Sequence, residues 1–360
     1  TNLNSGTIDF VSDTSEHFKI EKHLNKFQCV NPPCFTVNPI SNHKEYFTMT
    51  KAVLERREPK IVMFCGKGGV GKTTCASVTA IHYASEGNRT LLISTDPSPS
   101  LTDILEMNVM GEITEVPGVQ NLKAVELDYD RVLEMWKIKF GEEIFEVVSS
   151  FLPVEEEIID YIAGAPGIDE EFALSYVFDL YMSGEYDVIV WDTAPAGGTL
   201  SLLYLQETFY NHMRDAAKLY IRLKETLENL TGRKKRDPLK IIGEWEKLAE
   251  DVLAMVRADN TLAFLVTIPE GLGVYQTERI KGDLEKFKVN IGGIIINNFI
   301  PEEFAVGSDL LEKRVHVQDQ YIKELEKTYS GSLPVVKLAL QGFEVKGLEA
   351  LRRIEEQLFP

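Results

Sequence analysis

GKGGVGKTT at 66–74 is a phosphate-binding loop, and reading it that way decides the fold. Gly68, Gly69 and Gly71 reach backbone angles barred to other residues, so successive amides of the loop, Val70 among them, turn inward on anionic oxygens. Lys72 then reaches the β- and γ-phosphates of a nucleotide, and the Thr73 hydroxyl is a ligand for Mg²⁺. The flanks have the matching form. Ile61 to Cys65 is a short apolar run suited to a buried strand, and Thr73 to Ser85 reads as a helix whose N-terminus, with Thr74 in its first turn, faces the anion. The expected ligand is Mg-ATP.

Outward from this loop, short β-branched runs alternate with helical stretches: Thr90–Ser94, Leu122–Leu127, Asp187–Trp191, Leu262–Thr267, Gly292–Asn297 and Leu333–Lys337. Apolar strands separated by helices predict an α/β fold, a P-loop NTPase with a mainly parallel sheet flanked by helices. Two stretches break the alternation, at about 131–183 and 203–258, and read as an α-helical subdomain inserted into the core. Residues 1–58 lack a sustained period, carry Pro32, Pro33 and Pro39, and read as an N-terminal extension ahead of a 59–360 ATPase domain.

Two further motifs supply carboxylates. STDPSPSLTD at 94–103 directly follows a strand, which puts Asp96 at the carboxyl edge of the sheet, where such sheets bind ligands. Asp96 is the expected catalytic residue, orienting an attacking water; Asp103 suits a helix-start or turn role better. DVIVWDTAPAGGTL at 187–200 is a buried strand ending in Asp192, with the form of a Walker B element that serves a hydrated Mg²⁺. The glycines after it make the segment a candidate switch.

Composition sets the outer bounds. With 38 basic and 56 acidic residues the chain carries a formal charge of −18, which argues against a broad nucleic-acid or anionic-membrane surface. No run of apolar residues is long enough to span a bilayer, and the first residues lack the apolar core of a signal peptide, so the reading is cytoplasmic, with no stable membrane insertion. Of the four cysteines, Cys65 and Cys75 flank the loop as small apolar packing residues, while Cys29 and Cys34 form a lone CVNPPC in the extension. A zinc site there would need further ligands, for which His23 and His43 could be proposed; surface thiols are the plainer reading.

Lys67 stands five positions before Lys72, and the loop does not need it to hold its own phosphates. In this the chain resembles the signature-lysine, or deviant, class of P-loop ATPases, and the resemblance implies that Lys67 crosses a dimer interface to the partner's nucleotide. One such loop in 360 residues means that the partner loop comes from a second copy. The plainer alternative is a solvated lysine beside a loop. With STDP, PGIDE at 166–170, DTAPAGGTL, IPE at 268–270, QTER at 276–279, IINN at 295–298 and the ending VVKLALQGFEVKGLEAL, the chain resembles the arsenite-pump and tail-anchored-protein targeting ATPase family over nearly all of residues 60–360.

That resemblance implies nucleotide contacts from Lys67 to Thr74, hydrolysis through Asp96, Glu270 at the nucleotide interface, and Asn297 on adenine. It also implies an adenine loop made of Ala339, Leu340, Gln341, Gly342, Phe343 and Glu344. On the residues alone, Asn297 is a strand-ending residue and Glu270 a helix-start acid. There are departures: Asn298 to Gln320 contains no cysteine, so the zinc-binding Cys-x-x-Cys usual in the targeting branch is missing, and the switch carries Ala196, Gly198 and Ser201 where Thr, His and Arg are frequent. Arsenite-pump members resemble a fused duplication rich in cysteine, and this chain has one half and no cysteine in its insert.

The expected function is therefore a dimeric Mg-ATP-driven switch that binds and releases a hydrophobic protein client or membrane receptor, with tail-anchored membrane proteins as the clients that the resemblance implies. An arsenite-type transport ATPase subunit and a nucleotide-gated binding module with little turnover are the alternatives. The apolar stretch Ile144–Leu152 and the amphipathic runs Leu203–Leu227 and Leu239–Met255 suit either a client groove or a subdomain core. LEALRRIEEQLF near the C-terminus suits either a membrane surface or docking on the sheet.

Overall fold

The computed structural model describes residues 59–96, 98, 100–149, 154–164, 168–194 and 238–359. The N-terminal extension, the switch at 195–201 and the run Leu203–Leu227 lie outside the described residues. The strands are β1 (Ile61–Gly66), β2 (Thr90–Ser94), β3 (Thr114–Glu115), β4 (Leu122–Glu126), β5 (Val188–Asp192), β6 (Thr261–Thr267), β7 (Asn290–Phe299) and β8 (Val335–Ala339). The helices are α1 (Lys72–Ser85), α2 (Ser100–Leu105), α3 (Tyr129–Ser149), α4 (Ile158–Ala163), α5 (Ile168–Ser183), α6 (Pro238–Arg257), α7 (Gly271–Lys286), α8 (Glu302–Ala305), α9 (Asp309–Tyr329) and α10 (Gly347–Leu358).

The eight strands form one sheet in the order β3-β4-β2-β5-β1-β6-β7-β8. All pairings are parallel except that of β3 with β4. The seven expected strands are present within about two residues of their predicted ends. The eighth, β3, has only two residues and is too short to show any alternation.

Residues on β1 divide between the two faces with period two, as pleating requires. Val62 and Phe64 pack with Cys75, Val78 and Ile81 of α1 and with Leu351, Ile354 and Leu358 of α10. Ile61, Met63 and Cys65 pack instead with Leu174 and Val177 of α5, Val252 and Val256 of α6, and Ile280 and Leu284 of α7. Both faces are thus covered, which explains why the central strands are apolar at every position rather than alternately. The C-terminal helix α10 uses its apolar face on the sheet, through Leu351, Ile354, Leu358 and the following Phe359.

The paired glycines of β7 have a packing reason. The register between β6 and β7 shifts at Ala263/Phe264, a bulge that skips Gly292. A Cβ on Gly292 would lie 2.7 Å from the Phe264 ring, which stacks on Phe64 with centroids 5.9 Å apart.

A third apolar cluster joins α3, α4 and α5 through Val132, Trp136, Ala163 and Phe172. Helix α6 is tied to it by Trp245, whose Nε1 donates to Glu143 at 2.8 Å. Ile144 faces this cluster, whereas Ile138 and Tyr161 are exposed. Among the described residues no helix is long and apolar enough to cross a membrane.

Candidate functional site

The site is built at the carboxyl edge of the three central strands, and the strand register explains why. Asp192, the last residue of β5, lies level with Phe64 of β1 on one side and with Ser94 of β2 on the other. The chain leaving β1 turns through Gly71, at φ 94°, into α1, which carries Thr73 over the end of β5. Thr73 Oγ1 donates to Asp192 Oδ2 at 2.7 Å, and Ser94 Oγ donates to the same oxygen at 3.3 Å. Asp192 is fully buried, and burial pushes its carboxyl up to about 6, against the hydrogen bond from Thr73 and the charge of Lys72. Its other oxygen, Oδ1, is buried with no hydrogen-bond partner.

Asp96 leaves β2 beside this pair. Its backbone N–H donates to Ser94 Oγ at 3.3 Å, and its Oδ1 accepts from the Ser98 N–H at 3.0 Å and from the Ser98 hydroxyl. The carboxylate is therefore held in one orientation. Ser100, the first residue of α2, places its hydroxyl 3.3 Å from Thr73 Oγ1. Helix α2 is fixed from below by Glu126 of β4, which is 1% exposed and accepts from the N–H groups of Leu101 at 2.8 Å and Thr102 at 3.1 Å. Glu126 was not expected from the sequence. Its signal is a carboxylate directly after the buried pair Ala124 and Val125 at the end of a strand, a position where a buried charge is carried only when something pairs it.

An open cleft of about 620 Å³ collects Gly68, Gly69, Gly71, Lys72, Thr73, Thr74, Asp96, Ser98, Ser100, Asp103 and Glu344 on its walls. A second compartment, of about 210 Å³, shares Gly69, Gly71, Thr74 and Val345 with it and is otherwise lined by Asn297, Asn298, Leu338, Leu340, Gln341, Phe343 and Ile354. Lys72 is buried, with its Nζ 3.4 Å from the Lys67 carbonyl, while the Lys67 side chain is exposed. Val70 is buried behind the loop, and Ala339 and Gly342 lie outside both linings.

Asn297, the eighth residue of β7, donates from Nδ2 to the Val70 carbonyl at 2.9 Å. This braces the loop from the far side and orients the amide. Glu270 caps the start of α7 by backbone position without a side-chain cap bond, and its carboxylate pairs with Arg314 of α9 rather than facing either compartment. Cys65 and Cys75 are buried on either side of the loop, and burial pushes their thiols up to about 11 and about 12, as befits packing groups.

A glycine-rich turn from a central parallel strand into a helix, with a buried lysine, a helix-start threonine and a strand-end aspartate around one cleft, defines a P-loop nucleotide-binding protein. Residues 59–360 match the family model described as anion-transporting ATPase, and the chain belongs to that family. It is 33% identical to the ATPase GET3A of Arabidopsis thaliana, an alignment that covers 83% of this chain and 84% of the relative. The corresponding figures are 30%, 86% and 94% for ATPase ASNA1 homolog 1 of Paramecium tetraurelia. For the putative arsenical pump-driving ATPase 2 of Aquifex aeolicus they are 30%, 83% and 99%. The enzyme is an ATP hydrolase of this family.

Proposed function

We propose that the chain is a dimeric Mg-ATP-driven switch that binds and releases a hydrophobic protein client in the cytoplasm, with tail-anchored membrane proteins as the clients. The observation that carries the ATP half of this reading is the convergence of Lys72, Thr73 and Asp96 on one cleft at the sheet edge. The polyphosphate lies along Gly68 to Thr74, whose backbone N–H groups and Lys72 compensate its charge. The base enters the smaller compartment, between the Asn297 amide and the loop from Ala339 to Glu344.

The donor set suits Mg²⁺. Thr73 and Asp192 offer hard oxygens, and the unpartnered Oδ1 of Asp192 is the acceptor that a metal-bound water would satisfy. When bound, the ion neutralises charge on the β- and γ-phosphates. Asp96 accepts a hydrogen bond from a water and orients it at the γ-phosphorus. The water oxygen bonds to the γ-phosphorus as the bond from phosphorus to the β,γ-bridging oxygen breaks; ADP leaves with that bridging oxygen, and the water's protons leave on the phosphate product and, by way of Asp96, to solvent. Ser98 keeps the Asp96 carboxylate aimed.

The client half rests on the motif resemblance, on relatives named GET3A and ASNA1, and on apolar side chains that α3, α4 and α5 turn outward, Ile138, Tyr161 and Met182. A relative named as an arsenical pump-driving ATPase supports a transport-ATPase subunit as the second reading. Both readings are tested by comparing the protein with Asp96→Asn. The variant should bind ATP with affinity close to that of the unmodified chain, hydrolyse it at least a hundredfold more slowly, and retain tail-anchored proteins on co-purification with ATP. Hydrolysis stimulated by arsenite, with no tail-anchored protein recovered, would replace the first reading by the second.

A further inference from the structure

The base compartment has a wall that belongs to neither the phosphate loop nor the 339–344 loop. Ile354 of α10 lines it, and the neighbouring turns of the same helix hold the 339–344 loop in place. Gln357 and Gln341 exchange hydrogen bonds: Gln341 Nε2 donates to Gln357 Oε1 at 3.1 Å, and Gln357 Nε2 donates to Gln341 Oε1 at 3.2 Å. Each amide has one more anchor. Gln341 Nε2 also reaches the Ala339 carbonyl at 2.7 Å, and Gln357 Nε2 reaches the Arg353 carbonyl at 3.2 Å. A primary amide both donates and accepts, so this pairing is reciprocal and fixes the orientation of both groups. Arg353 adds a second hold, its guanidinium 5.5 Å from the centre of the Phe343 ring.

The same C-terminal half of α10 also reaches the helix that follows the phosphate loop. Phe359 stacks on His82 of α1 with ring centroids 4.0 Å apart and planes within 3°, and Glu355 lies 3.6 Å from His82 Nδ1. One helix therefore touches both halves of the nucleotide site. It packs on α1, whose first turn carries Lys72 and Thr73, and it grips the loop on the base side.

We propose that α10 is a positioning element for nucleotide affinity, and that the Gln341–Gln357 amide pair is its specific link: it holds the 339–344 loop at the spacing from Gly69, Gly71 and Thr74 that admits a purine base. This rests on the assignment of the smaller compartment to the base. The pair contributes to the part of the affinity that depends on the base and nothing to the part that depends on phosphate. Gln357 itself lies outside both compartments, so its effect is transmitted through Gln341.

The test measures equilibrium binding of Mg-ATP and of Mg-tripolyphosphate, which has no base, to the full chain and to Gln357→Leu, which keeps bulk and removes both hydrogen bonds to Gln341. Loss of two partly exposed neutral hydrogen bonds should weaken ATP about five- to tenfold and leave tripolyphosphate within twofold. Gln357→Glu, which still accepts from Gln341 but cannot return a hydrogen bond, should fall between. It serves as the reading if the leucine variant does not fold. Gln341→Leu combined with Gln357→Leu should lose little more than either alone, because the two act as one unit. An unchanged ratio of ATP to tripolyphosphate affinity in the Gln357 variants would overturn the proposal, as would an equal loss for both ligands, the mark of a merely structural helix. If the unmodified chain itself shows no preference for ATP over tripolyphosphate, the base assignment fails and the proposal with it.

Discussion

At the scale of single residues, Gly71 and Asn297 form the most constrained contact of the site. Gly71 holds φ at 94°, in the left-handed region, and a Cβ there would lie 2.2 Å from Asn297 Nδ2. Two independent penalties thus meet at one position: a backbone conformation costing an L-residue about 1–2 kcal/mol, and a collision with the amide that braces the Val70 carbonyl. Gly71→Ala should lower stability by about 2–4 kcal/mol and weaken nucleotide binding by more than tenfold. Adding Asn297→Ala should restore part of the stability, since it removes the collision, but none of the backbone cost. Urea denaturation of the two single variants and the double variant gives the coupling directly, and strictly additive losses would show that the amide is not what excludes a side chain at Gly71.

At the scale of elements, Glu126 decides how α2 sits against the sheet. The helix has six residues, too few to persist on its own propensity, so it needs external partners for its first N–H groups. Glu126→Ala leaves the Leu101 N–H buried and unpaired and should cost about 2–4 kcal/mol in urea or thermal unfolding. Glu126→Gln, which keeps an acceptor, should cost less than half of that. Equal effects of the two changes would mean that packing, not the carboxylate oxygen, holds α2. The contrast between Glu126 and the phosphate loop shows what a sequence exposes. GKGGVGKTT and the apolar strands are legible because their chemistry is local: spacing along the chain is spacing around a phosphate, and a strand buried on both faces is apolar throughout. Glu126 and Leu101, Gln341 and Gln357, and Asn297 and Val70 are contacts between distant segments, and nothing in either partner's neighbourhood announces the other. Asn297 and the 339–344 loop were expected at the site through family resemblance alone. Ile354 was missed because an apolar residue on an amphipathic helix reads as core, and here it is both core and wall.

At the scale of the whole molecule, the two lysines of the loop differ in environment, and that difference separates their work. Lys72 is 5% exposed and hemmed in by its own loop, whereas Lys67 shares the loop but points its side chain into solvent beside an open cleft. A buried lysine at the start of α1 can serve only the phosphates of its own chain. An exposed one can reach a second molecule, and a flexible four-carbon stem with three donors suits a phosphate presented from outside. The formal charge of −18 opposes association of two copies, so a closed dimer would need pairing of opposite charges at its centre, and each Lys67 reaching the partner's nucleotide would provide it. Sedimentation velocity with Asp96→Asn, so that nucleotide is not consumed, should show Mg-ATP driving the chain from monomer toward dimer at low micromolar concentration. Lys67→Ala in that background should raise the dimer dissociation constant at least tenfold, and the effect should shrink as salt is increased. Lys72→Ala should abolish nucleotide binding itself. If Lys67→Ala associates as tightly as its parent with ATP bound, Lys67 is a solvated lysine beside a loop, and the second copy must be recruited by another surface or not at all.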